Sequence, residues 1–239
     1  MKLRIDKMLS NVGFGSRKQI KQDARRGHVK VNGVTEKDSS KIIDTDEDNV
    51  EYKGEAVKYV QYIYLMMNKP IGVVSATEDN YDRTVVDLLE DEDRFYDPFP
   101  VGRLDKDTEG LLLLTNNGQL AHDLLSPRKH VDKTYYAEVE EEVTDDDVKS
   151  FAEGITLTNE NYRTLPAKLE IIKAGYPSSC YVTIKEGKFH QVKRMFNAVN
   201  NEVIYLKRLS MGPVKLDESL KPGEYRNLTE EELSLLMPS

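Results

Sequence analysis

The sequence is poor in cysteine and in long apolar runs, and both absences narrow the class of protein. Its single cysteine, Cys180, excludes an internal disulfide framework, and we interpret it as a small residue packed in a strand. No stretch approaches the roughly 20 apolar residues that span a bilayer, and the first residues lack the apolar core of a secretory signal. We therefore expect a cytoplasmic protein that does not insert into a membrane.

Signals for metal ions and nucleotides are also missing. The histidines show no metal-ligand spacing with one another or with Cys180, and no Gly-x-x-x-x-Gly-Lys loop is present to hold nucleotide phosphates. We expect no metal, and we interpret the histidines as structural or phosphate-contacting residues. They are His28, His122, His130 and His190.

Acidic residues outnumber basic ones overall, but basic charge is concentrated at one end of the chain. The formal net charge is −8, which taken alone argues against nucleic acid binding. Residues 1–43 nevertheless contain eleven Lys or Arg and four Asp or Glu, a local charge of +7, which leaves −15 for the remainder. Because screening limits phosphate attraction to about 10 Å, the acidic remainder does not cancel the basic patch.

Residues 1–58 predict a small α/β module. Apolar side chains at positions 5, 8, 9 and 12 recur with helical spacing, and Ser16 can cap a second helix that Gly27 ends. The alternating segment 29–31 runs into Asn32-Gly33, a strong hairpin signal, and short strands follow at 42–43 and 50–52. Basic residues that stay off the apolar stripe form a predicted RNA-binding surface: Arg4, Lys7, Arg17, Lys18, Lys21, Arg25 and Arg26.

A solvated charged face is the alternative interpretation of this basic surface. Charge of one sign on two adjacent helices, in a chain that is otherwise acidic, favours RNA binding. The segments 3–9, 15–17 and 26–33 resemble the S4 RNA-binding domain, a helix-loop-helix module that docks on structured ribosomal RNA.

A linker near residues 56–61 precedes a predicted second domain, residues 62–239. Strand-like runs at 62–67, 111–114, 134–139 and 181–184 are interspersed with helical patterns at 144–154, 192–199 and 229–232. Because the order is not a regular βαβ alternation, we predict an α+β sheet domain and not a doubly wound one.

The most informative stretch is Gly102-Arg103-Leu104-Asp105-Lys106-Asp107-Thr108-Glu109-Gly110, followed by the apolar run Leu111–Leu114. The pattern predicts a polar loop that leads into a buried strand, with Asp105 just before the start of that strand. On spacing alone, a turn with ordinary capping carboxylates is the better explanation.

The same stretch resembles the catalytic motif of the RsuA-type pseudouridine synthases, Gly-Arg-Leu-Asp followed by Thr-x-Gly-Leu. Further segments match in order, and together with the S4-like module they cover essentially the whole chain. They are Asn68-Lys69-Pro70-x-Gly72, Lys133-Thr134-Tyr135, Glu186–Phe196 and Leu206-x-Arg208-x-x-x-Gly212. The resemblance implies a mixed, mainly antiparallel sheet flanked by helices, the pseudouridine synthase fold.

The resemblance also implies a role for each matched residue and requires no cofactor. Asp105 corresponds to the essential aspartate, which acts on the ribose as nucleophile or as base, and Tyr135 to the tyrosine that stacks on the target base. Because side chains alternate along a strand, only one of Tyr135 and Tyr136 can enter the pocket. Lys193 corresponds to the cation that pairs with the aspartate. Many family members carry arginine at that position, which leaves Arg194 as a second candidate.

Arg103 resembles the arginine that fills the gap left by the flipped nucleotide. The implied activity is isomerisation of one uridine in ribosomal RNA by a monomeric enzyme. The form of the C-terminal segment favours 16S rRNA, in a small-subunit particle or precursor, over 23S rRNA. Two other functions stay open, a non-catalytic RNA-binding ribosome-assembly factor and a sugar glycosidase that pairs Asp105 with Glu109.

Overall fold

The computed structural model describes residues 1–157 and 162–237, and the chain divides into two compact units. Unit 1 comprises residues 1–63 and 90–98, and unit 2 comprises residues 64–89 and 99 onward. The predicted boundaries follow the chain linearly, so they do not assign residues 90–98 to the first unit. Residues 158–161 and 238–239 of the predicted second domain lie outside the described residues. Within the described ranges, no helix has both the length and the apolar character that crossing a bilayer requires.

Unit 1 is a small α/β module, as the hydrophobic pattern predicts. Its strands are β1 (Lys2–Arg4), β2 (Val29–Val31), β3 (Val34–Thr35), β4 (Ile42–Asp44), β5 (Val50–Tyr52) and β6 (Glu55–Val57), and its helices are α1 (Ile5–Asn11), α2 (Arg17–Arg25) and α3 (Asp91–Arg94). Strands β3, β2, β5 and β6 form one sheet in that order, while β1 pairs with β4. Met8 and Leu9 of α1 and Ile20 of α2 are buried in a common core with Val29.

The ends of α2 and the first hairpin follow the sequence signals. The Ser16 hydroxyl caps α2 by accepting a hydrogen bond from the backbone N–H of Gln19 at 3.3 Å. Strands β2 and β3 pair across Asn32-Gly33, whose φ angles are 52° and 80°. Two successive positive φ values are the requirement of a type I′ turn, which Asn-Gly satisfies with little strain.

Unit 2 is built on one large sheet. Its strands are β7 (Tyr64–Lys69), β8 (Phe99–Pro100), β9 (Glu109–Thr115), β10 (Lys133–Val139), β11 (Thr156–Leu157), β12 (Tyr162–Arg163), β13 (Lys168–Lys173), β14 (Ser178–Ile184), β15 (Val203–Met211), β16 (Val214–Lys215) and β17 (Tyr225–Asn227). Its α-helices are α4 (Gly118–Leu125), α5 (Asp145–Glu153), α6 (Gln191–Ala198) and α7 (Glu230–Leu236), and short 3-10 turns lie at Val86–Leu88 and Pro127–Lys129.

The large sheet has the order β13-β14-β10-β15-β9-β7-β17, with β16 paired to β15 and β8 to β9. Its strand pairs are antiparallel except β9 with β15, which run parallel. Helices α4 and α7 cover part of the sheet, where Leu120 and Leu236 join a core with Leu111 and Leu113. The predicted α+β domain with a mixed, mainly antiparallel sheet is therefore confirmed.

The structure of unit 2 also shows the helix starts and the buried strand that the sequence predicts. Capping boxes begin α5 at Thr144 and α7 at Thr229. The run 111–114 in β9 is buried throughout, as expected for a strand covered on both faces. Cys180 is buried in β14, and burial raises the pKa of its thiol to about 12.

Candidate active site

Asp105 lies in the loop that leads into β9, and backbone hydrogen bonds hold this loop at several points. The Ser75 hydroxyl accepts from the N–H of Leu104 at 3.0 Å and donates to the Leu104 carbonyl at 2.9 Å. The Asp105 carbonyl accepts from the N–H of Thr108 at 3.0 Å. The direction of the Asp105 side chain therefore depends on a backbone with little freedom to move.

Lys69, buried at the end of β7, anchors the same loop. Its ammonium donates to the carbonyl oxygens of Pro70, Asp105 and Thr108, each at 3.0 Å. Burial lowers the pKa of Lys69 to about 8, although the negative charge of Asp105 favours the protonated form. The sequence placed Lys69 in a matched motif but gave no reason for its charge, because two of its three acceptors lie 36 and 39 positions away in the chain.

Gly110 permits the close approach of β9 and β15 just beyond the loop. Its φ is +102°, and a Cβ atom added there would lie 2.2 Å from the carbonyl oxygen and 2.7 Å from the nitrogen of Arg208. A larger residue would meet backbone atoms that cannot rotate away. Arg208 is itself buried, and its Nε donates to the carbonyl oxygen of Leu111 at 2.8 Å.

Two side chains from the start of α6 flank the Asp105 carboxylate. Lys193 Nζ lies 3.2 Å from Asp105 Oδ2, and His190 Nε2 lies 3.4 Å from Oδ1. Lys193 also donates to Oδ1 of Asp107 at 2.6 Å. Burial raises the pKa of Asp107, but the hydrogen bond and charge of Lys193 outweigh burial and lower it below its ordinary value. The site therefore holds an anchored carboxylate between two nitrogen groups.

The structure separates the two candidate partners of the aspartate. Lys193 is the residue that contacts Asp105, whereas a guanidinium nitrogen of Arg194 donates to the backbone carbonyl of Phe189 at 3.2 Å. Arg194 thus supports the loop before α6, and the ion pair with Asp105 belongs to Lys193. A lysine makes this contact as a point charge, without the two-pronged geometry of an arginine.

A pocket opens beside Asp105, and Tyr135 lines it. Tyr135 is only 7% exposed and lies on the buried side of β10. Arg103, whose side chain is exposed, lines the same pocket together with Lys193. Lys188 lines it as well, so a carboxylate, an aromatic ring and three cations converge on one cavity, which suits an anionic substrate that carries a planar base.

Tyr136 points away from this pocket, as strand alternation predicts. Its hydroxyl donates to Glu138 at 2.8 Å, and its ring lies 6.1 Å from the ring of Tyr205. The Tyr205 hydroxyl donates to Glu109 at 2.5 Å, and burial together with this hydrogen bond raises the pKa of Tyr205. Glu109 is thus engaged with Tyr205, which removes support from the glycosidase interpretation that pairs it with Asp105.

Unit 1 carries the predicted basic surface on exposed positions of its helices and the β1 end. Arg4, Lys21 and Arg25 line a shallow cavity together with Lys37, which the sequence did not single out. Arg4 also donates to the buried carboxylate of Asp6 at 2.6 Å, so part of its charge is used within the unit. The remaining predicted residues are exposed: Lys7, Arg17, Lys18 and Arg26.

Two groups at the site escaped prediction. His190 was interpreted as a structural or phosphate-contacting residue, and its place beside Asp105 arises from its left-handed backbone, with φ of 48° at the cap of α6. Gln191 and Glu186 form a buried hydrogen bond at 2.7 Å that shapes the same loop. The matched segment Glu186–Phe196 contains all three residues, and the three-residue spacing of His190 and Lys193 was a further signal. In residues 1–157 and 162–237, no cluster of three or more His, Cys, Asp or Glu side chains is arranged to hold a metal ion.

Comparison with known families agrees with this geometry in both units. Residues 63–198 match the RNA pseudouridylate synthase family, and residues 3–50 match the S4 domain. The first match includes Asp105, Tyr135 and Lys193, and the second includes every residue of the predicted basic surface of unit 1.

Individual relatives resemble the chain over nearly its whole length. An uncharacterized RNA pseudouridine synthase of Bacillus subtilis (strain 168), YtzG, is 54% identical over 98% of both chains. Ribosomal small subunit pseudouridine synthase A of Escherichia coli (strain K12) is 41% identical over 97% of this chain and 99% of its own. A crystal structure of a pseudouridylate synthase is 38% identical and superposes with a TM-score of 0.69, covering 98% of this chain and 100% of that one.

Proposed function

The chain belongs to the RNA pseudouridylate synthase family, and we propose that its substrate is one uridine of small-subunit (16S) ribosomal RNA. Its activity is the isomerisation of uridine to pseudouridine in RNA. The substrate assignment is supported by similarity to ribosomal small subunit pseudouridine synthase A, at 41% identity over 97% of this chain.

A catalytic function is supported by the arrangement of charged groups around the Asp105 carboxylate. Asp105 Oδ2 lies 3.2 Å from Lys193 Nζ, at a pocket lined by Tyr135. A nearby cation favours the ionised carboxylate, which can act as nucleophile or base at neutral pH. A non-catalytic assembly factor would have no need for this arrangement.

In the proposed reaction, Asp105 acts on the ribose of the target uridine, and the bond between C1′ and N1 of the base breaks. The uracil rotates within the pocket against Tyr135, and a new bond joins C1′ to C5. The proton on C5 is lost and N1 gains one, so the reaction is a balanced isomerisation without oxidation or reduction. Lys193 positions the carboxylate, while Arg103 occupies the gap that the extruded nucleotide leaves in the RNA.

The remaining features of the substrate complex belong to the same proposal. The basic surface of unit 1 binds RNA phosphates, and the enzyme acts as a monomer that carries both this surface and the pocket. The substrate is 16S rRNA in a small-subunit particle or precursor. A cytoplasmic location follows from that substrate.

Pseudouridine mapping tests the proposal. A deletion strain should lose one pseudouridine from 16S rRNA, and plasmid-borne wild type, but not Asp105→Ala, should restore it. Loss from 23S rRNA would overturn the substrate assignment, and restoration by Asp105→Ala would overturn the catalytic role. Incubating the purified enzyme with naked 16S rRNA and with small-subunit precursor particles distinguishes the two substrate forms.

A further inference from the structure

Phe189 stands exposed at the edge of the active-site pocket, backed by His190. The Phe189 side chain is 68% exposed, and its ring stacks on the His190 imidazole with centroids 3.7 Å apart and planes at 20°. His190 in turn lies 3.4 Å from Asp105 Oδ1. A single exposed apolar residue is ordinary, but Phe189 is distinguished by this stack and by the contacts that hold it in place.

The loop that carries Phe189 is held by hydrogen bonds on both sides of the ring. The Gln191 side chain accepts from the N–H of Lys188 at 2.9 Å and donates to Glu186 at 2.7 Å. On the other side, Arg194 donates to the Phe189 carbonyl at 3.2 Å. The aromatic ring is thus presented on a fixed backbone, which lowers the entropy lost when a ligand orders it.

Glu186, which accepts from Gln191, is itself held by two further hydrogen bonds. This buried carboxylate accepts from the Tyr162 hydroxyl at 2.6 Å and from the N–H of Leu165 at 3.0 Å. The five residues before α6 therefore form a braced segment, which holds both the exposed Phe189 ring and His190. An exposed ring held in this way is placed to meet a group outside the protein.

The groups around Phe189 indicate the chemical class of its ligand. Arg103, Lys188 and Lys193 line the adjacent pocket, so the neighbourhood attracts a polyanion. Proteins that bind unpaired RNA combine cationic grooves with aromatic side chains on which bases stack. One face of the Phe189 ring is covered by His190, and the other is available to a planar group.

We propose that Phe189, backed by His190, is a stacking platform for an unpaired nucleobase next to the target uridine. The platform lies beside Asp105 through His190, and so it adds binding energy for the RNA strand next to the pocket without touching the reacting atoms. This inference rests on the proposed action on RNA and adds a binding contact outside the pocket that receives the uridine.

Kinetics of position 189 variants provide the first test, with the 16S rRNA transcript as substrate. Phe189→Ala should raise KM about 5- to 150-fold, the range for removing one base–aromatic stack, and leave kcat within about twofold. Phe189→Tyr should behave like wild type, and Phe189→Leu like alanine, because leucine retains apolar bulk but has no ring. If Phe189 only shielded the His190–Asp105 contact, kcat would fall instead and KM would stay constant, which would overturn the proposal.

The absence of tryptophan from the chain allows a direct test by fluorescence. Phe189→Trp, combined with Asp105→Asn to prevent turnover, places a single tryptophan on the platform. Tyr176→Trp in the same background is the matched control, since Tyr176 is 73% exposed. It lies beyond the far end of β14, about 20 Å from the pocket at the usual strand rise.

Saturating 16S rRNA should strongly quench the tryptophan emission of the Phe189→Trp variant and quench that of the Tyr176→Trp variant little. Equal responses of the two variants, with RNA binding confirmed by filter retention, would overturn the platform. Because quenching needs no turnover, the platform can fail while the wild-type enzyme forms pseudouridine, and the platform can hold where the assigned uridine is wrong. Failure of the platform and failure of the proposed function therefore give different results.

Discussion

The ammonium of Lys193 lies 3.2 Å from Oδ2 of Asp105, and the same nitrogen is shared with Asp107 at 2.6 Å. The cation thus serves two carboxylates, of which only Asp105 lines the pocket. Asp107 is 70% exposed and Asp105 26%, so water can take over part of the solvation of Asp107 but less of that of Asp105. The contact with Asp105 is therefore the one on which activity should depend.

Removal of the Lys193 charge should reduce turnover. We expect Lys193→Met to lower kcat about 100-fold, the scale of losing one preorganised electrostatic group, and Lys193→Arg to stay within about tenfold of wild type because a cation is retained. Single-turnover rates on 16S rRNA measure the effect. The control is Asp107→Asn, which leaves Lys193 to Asp105 and should stay within about threefold of wild type; an equal loss there would show that Asp107 and not Asp105 needs the cation.

Substitution of the central carboxylate should separate binding from chemistry. Asp105→Asn keeps the size and shape of the side chain, so RNA affinity should remain within a few fold of wild type while pseudouridine formation becomes undetectable. Filter binding and pseudouridine quantification on the same RNA give both quantities. A large loss of affinity would contradict this division of roles between the carboxylate and the basic surface.

Local sequence signals predicted those elements whose ends are determined by their own residues. Ser16 caps α2 and Thr144 caps α5 as expected, and the Asn32-Gly33 turn forms at its predicted place. These features depend on hydrogen bonds within a few residues. A short sequence window therefore contains the physics that forms them.

The features that sequence reasoning missed depend on distant contacts. Strand β15 carries Arg208, which is 2% exposed and donates from Nε to the carbonyl oxygen of Leu111 in the neighbouring strand. A buried arginine contradicts the apolar pattern of a core strand, and its partner lies 97 positions away in the chain. At the active site, the roles of Lys69 and His190 likewise depend on distant contacts. Both residues contact Asp105, which lies 36 positions from Lys69 and 85 positions from His190 in the chain.

The buried lysine predicts an alkaline limit on activity. The pKa of Lys69 is lowered to about 8, so the folded protein releases this proton while the unfolded chain keeps it up to 10.5. By linkage, this group destabilises the fold at neutral pH, and the penalty disappears as pH rises from about 8 toward 10.5. Activity should move the other way, because a neutral amine has two N–H groups for the three carbonyl oxygens around Lys69.

We therefore expect kcat to fall as pH rises through about 8, without a matching loss of folded protein by circular dichroism. Lys69→Met should be less active at pH 7 and should lack this alkaline limb. Lys106→Met, which removes an exposed lysine from the same loop, should retain it. An unchanged limb in Lys69→Met would assign the titration to another group.

Charge reversal on α2 should weaken RNA binding and flatten its salt dependence. Arg17→Glu, Lys18→Glu and Lys21→Glu alter three exposed cations, and each lost phosphate contact should reduce the slope of log K against log salt by about 0.7 to 0.9. The control variant carries Lys149→Glu, Lys168→Glu and Lys173→Glu in unit 2. It has the same change in net charge and should preserve the slope. A slope that changes equally in both triple variants would show that total charge, and not this surface, governs binding.

Substitutions at two glycines test whether the close packing of β9 against β15 holds the loop that carries Asp105 in place. At Gly110, a Cβ atom would lie 2.2 Å from the Arg208 carbonyl oxygen with φ at +102°, whereas at Gly118 nothing lies within 4 Å. We expect Gly110→Ala to cost about 3 kcal/mol of stability, from backbone strain and overlap, and to lower Tm by about 6 to 12 °C. Gly118→Ala, in the first turn of α4, should be neutral or slightly stabilising because alanine favours the helix.

Turnover at 25 °C, where both variants remain folded, adds a second measurement to the melting curves. Relief of the overlap at Gly110 requires β9 and β15 to separate, and β9 begins four residues after Asp105. Gly110→Ala should therefore lose turnover even when folded, while Gly118→Ala keeps it. If Gly110→Ala melts lower but retains wild-type kcat, the loop bonds from Lys69 and Ser75 suffice to hold Asp105 without the strand contact. If both variants match wild type, the close approach at Gly110 does not exist in solution.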